Sequence, residues 1–340
     1  MHDRLIQRKI LSENDSFDSF SDVRITSSMS RLFEEQKRNW PLLNKNFSAL
    51  KDVKTKSFFI NGNEIIAQFN PHRMVSTAAK VDRESIKNRK SFLKLENLPE
   101  EQKLVSIANR YFILANPFPI FQEHFTIPTI AQIPQMLNST TKIYLELTKN
   151  FEGRYSALYN GAKCGASAPD HFHFQAGTIS STPIETEINN CKIGQGEKIA
   201  SYSQTQLFSV KDGLRRYYLI KSQNSVESVD MLKILMDSLG EVLNTDEEPK
   251  INLFSFYKNG FNICVFPRQK HRPSYYFLDE PERFLISPAV VDLAGILIVP
   301  RERDFERLNA TIIKNIFDEV MINEEIFDEV NSVLSKLKSN

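Results

Sequence analysis

The sequence predicts an α+β fold: a mainly antiparallel sheet with helices packed on one side. Three observations carry this. Turn sequences join short apolar runs at Asn61-Gly62, Asn116-Pro117-Phe118-Pro119 and Asn259-Gly260, and tight hairpins make antiparallel neighbours. Two stretches place apolar residues at helical spacing. One comprises Met136, Leu137, Thr140, Ile143, Tyr144 and Leu147, the other Met231, Leu232, Leu235, Leu239 and Leu243. Finally, residues 111–178 read in the order strand, turn, strand, helix, strand, loop, strand, which gathers the helix against one face of the sheet.

Taken in order, residues 1–55 are polar and charged and read as an N-terminal extension packed on the main body. One helix is expected there over residues 28–43, with Trp40 and Leu43 near its end. Residues 57–69 alternate about Asn61-Gly62 and predict a hairpin. The loop Asn70-Pro71-His72-Arg73 follows, then a charged stretch over 80–94. Strands are expected at 111–115, 120–127, 155–159 and 171–178, with a helix between the second and third that Gly153 ends. Residues 56–200 are thus a first unit. A second unit, 201–300, has a strand at 214–221, the second helical stripe and a hairpin over 251–266. Within it, residues 259–273 echo 116–128: each runs from Asn through an apolar strand to a His just before a Pro or a Pro-containing turn. That similarity predicts an internal duplication with a degenerate second copy. Residues 301–340 are C-terminal helices, two short amphipathic ones over 313–337. The repeated IFDEV at Ile316 and Ile326 is read as packing.

Composition narrows the function. A chain of 340 residues makes one large domain or two that share a core. Its 41% hydrophobic and 25% charged residues, with a net charge of +1, argue against disorder and against nucleic acid as partner. A small ligand is expected instead. Cys164, Cys191 and Cys264 are few, odd in number and far apart, with no CxxC pair. A reducing compartment therefore fits better than a disulfide framework. The N-terminal MHDRLIQRKILSENDS lacks the apolar core of a signal peptide, and no run of ~18 apolar residues exists, so a cytoplasmic protein without a membrane span is expected.

The chemistry concentrates in Asp170-His171-Phe172-His173-Phe174-Gln175-Ala176. Two of the six histidines lie here. A strand period of two puts His171, His173 and Gln175 on one face and Phe172, Phe174 and Ala176 on the other. Ahead of them runs a loop of small residues containing Asn160, Gly161, Lys163, Gly165 and Ser167. Such a loop brings backbone N–H groups to a phosphate, with Ser167 as a further donor and Lys163 as a charge. A bare HxH pattern reads as a metal site or a polar sheet face. The same-face Gln175 and the preceding loop favour a phosphorus centre with an imidazole nucleophile. Further on, Arg268, Lys270, His271 and Arg272 make a cationic turn, read either as a solvated loop or, preferred here, as a binder of an acceptor or terminal phosphate.

The segment Asn160-Gly161…Gly165-Ala166-Ser167-Ala168-Pro169-Asp170-His171-Phe172-His173-Phe174-Gln175 resembles the HxHxQ signature of the transferase branch of the histidine-triad superfamily. That branch includes galactose-1-phosphate uridylyltransferase, diadenosine tetraphosphate phosphorylase and GDP-hexose phosphorylases. Residues 116–128 resemble the hairpin that precedes the active site, and residues 266–273 and 287–295 resemble C-terminal segments of the phosphorylases. The similarity covers residues 57–300 in patches. It implies a histidine-triad-like fold in which His173 attacks the α-phosphorus, Gln175 binds the transferred phosphoryl group and His171 shapes the site. Hydrolytic relatives carry a third histidine where Gln175 stands, so transfer is implied rather than hydrolysis. Arg73 matches an NP-R segment near the nucleotide. Asp170 lengthens the spacing from Ser167 to His171, a departure that bears on the role of Ser167.

The implied reaction is double displacement on a nucleoside diphosphate hexose, with phosphate or a hexose 1-phosphate as acceptor. Dinucleoside polyphosphate phosphorolysis is the alternative, then a non-catalytic nucleotide-binding protein. A metal-dependent hydrolase with His171 and His173 as ligands would need nearby carboxylates, and only Asp170 is close, on the wrong face. No cofactor is expected. Several relatives hold a structural zinc through a CxxC pair and two histidines. Here the counterparts of the histidines are His124 and His171, but Lys90-Ser91-Phe92-Leu93-Lys94 stands where the cysteines belong, so the zinc is expected to be lost. A homodimer is compatible with this reading.

Overall fold

Asn61 and Gly62 both take positive φ, 50° and 85°. That is the conformation whose twist matches two right-twisted antiparallel strands, and the hairpin forms as the alternation predicts. The computed structural model describes residues 2–190 and 196–336; Cys191 and Leu337 lie outside the described residues. The strands are β1 (Ser16–Phe17), β2 (Thr55–Ile60), β3 (Asn63–Phe69), β4 (Val105–Ile107), β5 (Tyr111–Ala115), β6 (His124–Pro128), β7 (Tyr155–Asn160), β8 (His173–Thr178), β9 (Gly196–Tyr202), β10 (Thr205–Lys211), β11 (Arg216–Ser222), β12 (Ile251–Tyr257), β13 (Phe261–Pro267) and β14 (Ile296–Val299).

Eleven strands join one sheet in the order β1-β4-β5-β6-β8-β7-β12-β13-β11-β10-β9. Only the β1–β4 pair in it is parallel. A small second sheet is ordered β14-β3-β2, with β14 parallel to β3. Outward from the β7–β12 seam the large sheet reads the same both ways: β7, β8, β6, β5 on one side and β12, β13, β11, β10 on the other. Each side is two strands, a helix (Thr141–Asn150 or Ser225–Val242) and two strands. The duplication is therefore present in topology. The echo between 259–273 and 116–128 is out of register with it, because β13 corresponds to β8, and β6 to β11. An Asn-led turn opens any hairpin strand, so the turn signal does not tell which strand is copied.

Local differences from the sequence reading have simple causes. The single helix expected over 28–43 is two, Ile25–Asn39 and Pro41–Ala49, with Trp40 extended between them. Pro41 has no N–H and disfavours a helical residue before it, so it starts a helix and cannot continue one. Strand β6 begins at His124 and β8 at His173, each later than the apolar pattern suggests.

Two cores sandwich the large sheet. On one face, Met29, Leu32, Leu145, Leu235 and Phe327 from the helices pack on Phe172, Phe174, Ile263 and Val265. On the other, Phe254, Phe256, Cys264 and Phe266 pack under Ile65, Leu297, Ile313 and Phe317, so helices lie on both faces rather than one. The two IFDEV copies divide between these cores: Ile316, Phe317 and Val320 sit in the second, and Phe327 and Val330 in the first. Among the described residues no helix is long and apolar enough to cross a membrane.

Candidate active site

Phe172, Phe174 and Ala176 belong to the helix-side core, which turns His173, Gln175 and Gly177 to the opposite face. The start of β8 is held by a side chain. Register with β7 stops at Leu158↔Gln175, and beyond that point Gln135 bridges the diverging strands. Its Oε1 accepts the His173 N–H at 2.8 Å, and its Nε2 donates to the carbonyls of His173 and Asn160, each at 2.9 Å. Farther along, a Cβ at Gly177 would lie 2.3 Å from the Phe121 ring. Glycine thus admits Phe121, which packs edge-on against His124 with centroids 5.4 Å apart.

The imidazole of His173 is oriented by one hydrogen bond. Nδ1 lies 2.8 Å from the carbonyl oxygen of His171. A carbonyl only accepts, so Nδ1 carries the proton and Nε2 the lone pair, and Nε2 has no partner among the described residues. Burial lowers the pKa to about 4, so the ring is neutral at pH 7. Gln175 is oriented by a similar chain. The Ile120 N–H donates to His124 Nδ1 at 3.3 Å, leaving the Nε2–H of His124 to donate to Gln175 Oε1 at 3.0 Å. The Gln175 NH2 group is then the end left for the cleft. Burial, assisted by Arg73, lowers the His124 pKa to about 3, which keeps the ring neutral.

The cleft is narrow, with a volume of about 50 Å³, and is lined by Arg73, Asn160, Ser167, Gln175, Arg272 and Asp292 among others. Asn160 Oδ1 accepts from Asn252 Nδ2 and the Val290 N–H, leaving its amide nitrogen for the cleft. Arg73 donates to the Phe118 carbonyl and to Ser76 Oγ, while its Nε is buried without a partner. Burial lowers its pKa only to about 10, so it stays charged. Asp292 accepts the N–H groups of Ala289 and Ile298, and burial pushes its pKa up to about 6. In the loop, Ala166 and Ser167 line the cleft, and their N–H groups have no acceptor among the described residues. Asp170 anchors that loop from both sides, accepting from Arg89 and Gln132 at 2.8 Å each, and Arg89 also donates to the Ser167 carbonyl.

Residues 32–178 match a family model described as a domain of unknown function, DUF4922, and residues 217–340 match the GDPGP1-like C-terminal domain. No curated protein sequence matches the chain. The crystal structure of yeast Ap4A phosphorylase Apa2 in complex with Ap4A is similar, with a TM-score of 0.52 at 15% identity over 86% of this chain and 98% of that one. The chain shares the fold of that phosphorylase. A second crystal structure of yeast Apa2 matches with a TM-score of 0.49 at 15% identity, over 85% of this chain and 94% of that one. A DUF4931 family protein from Bacillus cereus matches with a TM-score of 0.35 at 17% identity, over 54% of this chain and 93% of that one.

Several residues expected from sequence lie outside this cleft. Lys163 is exposed and pairs with Glu247 at 3.1 Å. Gly161 gives its N–H to the Ile251 carbonyl, from which an added Cβ would be 2.9 Å; its role is close packing. Gly165, at φ +85°, gives its N–H to His271 Nδ1 at 3.3 Å. The cationic turn splits by direction. Arg268 is buried and donates to Asn252 Oδ1 and to the carbonyls of Pro288, Val320, Lys270 and His271. Lys270 pairs with Glu319 on the surface. Burial lowers the His271 pKa to about 4, so it is neutral and braces the loop. Of that turn, Arg272 lines the cleft. Gln135 and Arg89 escape the sequence reading, since nothing in their own neighbourhoods links them to the HxHxQ strand; His124 enters it only as the counterpart of a zinc-binding histidine, and Asp292 only within a segment that resembles the phosphorylases.

His171 is buried with both ring nitrogens engaged: Nδ1 accepts from the Ser91 hydroxyl at 3.0 Å, and Nε2–H donates to the Thr129 carbonyl at 2.7 Å. It contributes its main-chain carbonyl, not its ring, to His173. The zinc of several relatives does not fit these residues. Ser91 supplies no thiolate, and register sets His124 opposite Gly177, six positions along the chain from His171. Among the described residues, no group of three or more His, Cys, Asp or Glu is placed to hold a metal.

Proposed function

We propose that the protein is a nucleotidyltransferase of the phosphorylase type that passes a nucleoside monophosphate group through His173. The observation that carries this reading is the neutral His173 ring, with Nδ1–H committed to the His171 carbonyl and Nε2 unpartnered, beside an amide whose donor end is turned to the cleft. In the first step the Nε2 lone pair attacks the α-phosphorus of a nucleoside diphosphate hexose. The Nε2–P bond forms, the bridging P–O bond breaks and hexose 1-phosphate departs with that electron pair. The His171 carbonyl stabilises the cationic ring that results. In the second step an oxygen of inorganic phosphate or of a hexose 1-phosphate attacks phosphorus, the Nε2–P bond breaks and the neutral ring returns. Charge on the phosphoryl oxygens meets the Gln175 amide, the Ala166 and Ser167 N–H groups, the Asn160 amide and Arg73, all held before the substrate arrives.

The match of residues 217–340 to a GDPGP1-like C-terminal domain supports the nucleoside diphosphate hexose, alongside the resemblance of residues 266–273 and 287–295 to phosphorylase segments. The likeness of fold to yeast Ap4A phosphorylase in complex with Ap4A favours a second reading, phosphorolysis of a dinucleoside polyphosphate. A panel of nucleotide-sugars and dinucleotides, each incubated with phosphate and scored by product release, separates the two. Binding without turnover of any member would leave a nucleotide-binding protein and end the catalytic reading.

A further inference from the structure

We infer that Arg272 holds the phosphoryl group beyond the α-phosphorus, so that the cleft selects ligands with a second phosphoryl over nucleoside monophosphates. This rests on the nucleotide reading above and assigns a part of it that the HxHxQ strand does not supply.

The guanidinium of Arg272 is fixed but not neutralised. Nε donates to Ser287 Oγ at 3.0 Å, and Nη2 donates to the carbonyls of Ala79 at 2.7 Å and Thr77 at 3.2 Å. Nη1 has no partner among the described residues. One face of the group lies 4.1 Å from the Tyr276 ring centroid. A second guanidinium, Arg283, lies 5.3 Å from the same centroid, with its Nε buried and unpartnered. Among the described residues neither arginine, nor Arg73, has a carboxylate within ion-pair distance. Asp292, the carboxylate of the cleft, already accepts two backbone N–H groups. Two like charges gathered on one ring without a counter-ion are unfavourable until an anion arrives.

Position separates the roles of Arg73 and Arg272. Arg73 donates to the Phe118 carbonyl, two residues before the Ile120 N–H that holds His124 Nδ1, and His124 holds Gln175, so Arg73 belongs with the α-phosphoryl. Arg272 lies toward Ser287 and Tyr276. Both are anchored on one short segment: Arg73 on Ser76 Oγ, and Arg272 on the Thr77 and Ala79 carbonyls. The helical turn Met74–Thr77 therefore sets their spacing. Two cations lining one cleft suit a pyrophosphate unit, and guanidinium is the group that meets phosphate oxygens with a planar fork. In double displacement the departing and entering phosphates use the same place, so Arg272 serves both half-reactions.

The test is calorimetric titration of the full chain with GMP, GDP, AMP and ADP. Native protein should bind the diphosphate of at least one base more tightly than its monophosphate. Arg272→Gln should weaken diphosphate binding about 10- to 100-fold and leave the monophosphate within about twofold. Ser287→Ala, which only loosens the arginine, should cost about three- to tenfold with the same selectivity, and serves if Arg272→Gln fails to fold. Equal loss of mono- and diphosphate, or no loss of either, overturns the subsite while the nucleotide reading stands. Native protein that binds none of the four overturns both.

Discussion

One face of the large sheet has two different fates. Over β12 and β13 it carries Phe254, Phe256, Cys264 and Phe266, all sealed beneath the small sheet and the helix Ala310–Val320. Over β8, the topological counterpart of β13, it carries His173, Gln175 and Gly177, and of these Gln175 lines the cleft beside the buried His173. The backbone arrangement is shared, so the difference lies in side chains and in what covers them. An apolar face sealed by a second layer adds stability. The same face left partly open, with two rings kept neutral by burial and an amide held by one of them, can act on a ligand. The duplicated half thus supplies a rigid support and, through Arg272, one wall of the cleft.

Paired substitutions on these two strands break the comparison most directly. His173→Ala should lower transfer by at least about three orders of magnitude, ~4 kcal/mol of transition-state stabilisation, with an unchanged melting temperature. Native protein given an α-labelled substrate should retain an acid-labile, base-stable label that the variant lacks. Substantial turnover by the variant would end the covalent mechanism. Phe266→Ala should do the reverse. It removes a fully buried ring packed 5.3 Å from Tyr217 and should cost about 3–5 kcal/mol of stability in denaturant titration, while activity per folded molecule stays near native. A stable but inactive Phe266→Ala protein would show that the second half does more than support.

A finer cut tests orientation within the open half. Gln175→Ala should slow nucleotidylation by one or two orders of magnitude, ~1.4–3 kcal/mol, because it removes the donor that the His124 tautomer aims at the cleft. Single-turnover labelling measures that step alone. An unchanged rate across several substrates would place Gln175 outside the reaction.

Much of this was legible locally. The hairpins at Asn61-Gly62 and Asn259-Gly260, the two helical stripes and the alternation of His173 and Gln175 against Phe172 and Phe174 all follow from neighbours in sequence. What escaped depends on contacts between distant segments. Gln135 clamps β8 from 38 residues away, and Arg89 reaches Asp170 across 81. The run Arg268-Gln269-Lys270-His271-Arg272 looks like one cationic patch in sequence, yet its side chains enter a buried knot, the surface, the loop and the cleft. Composition reports charge but not direction, and direction in a turn is set by the partners it finds.

The smallest expected effect concerns metal. We propose that, where the sequence resemblance implies a zinc held by a thiolate pair and two histidines, this chain relies instead on Ser91 Oγ–H to His171 Nδ1 and His171 Nε2–H to the Thr129 carbonyl. Those two bonds keep the His171 backbone in place, and its carbonyl orients His173. Tetrahedral zinc needs four strong ligands, and here His124 and His171 are separated along the sheet. Chelation should therefore leave the melting temperature and the activity unchanged, and elemental analysis of protein purified without chelator should find less than about one zinc per chain. Ser91→Ala should cost only about 1 kcal/mol, the worth of one hydrogen bond, and chelator should not deepen that loss. A stoichiometric zinc bound through His124 and His171, with melting that falls on its removal, would overturn this substitution of hydrogen bonds for metal and leave the assignment of His173 intact.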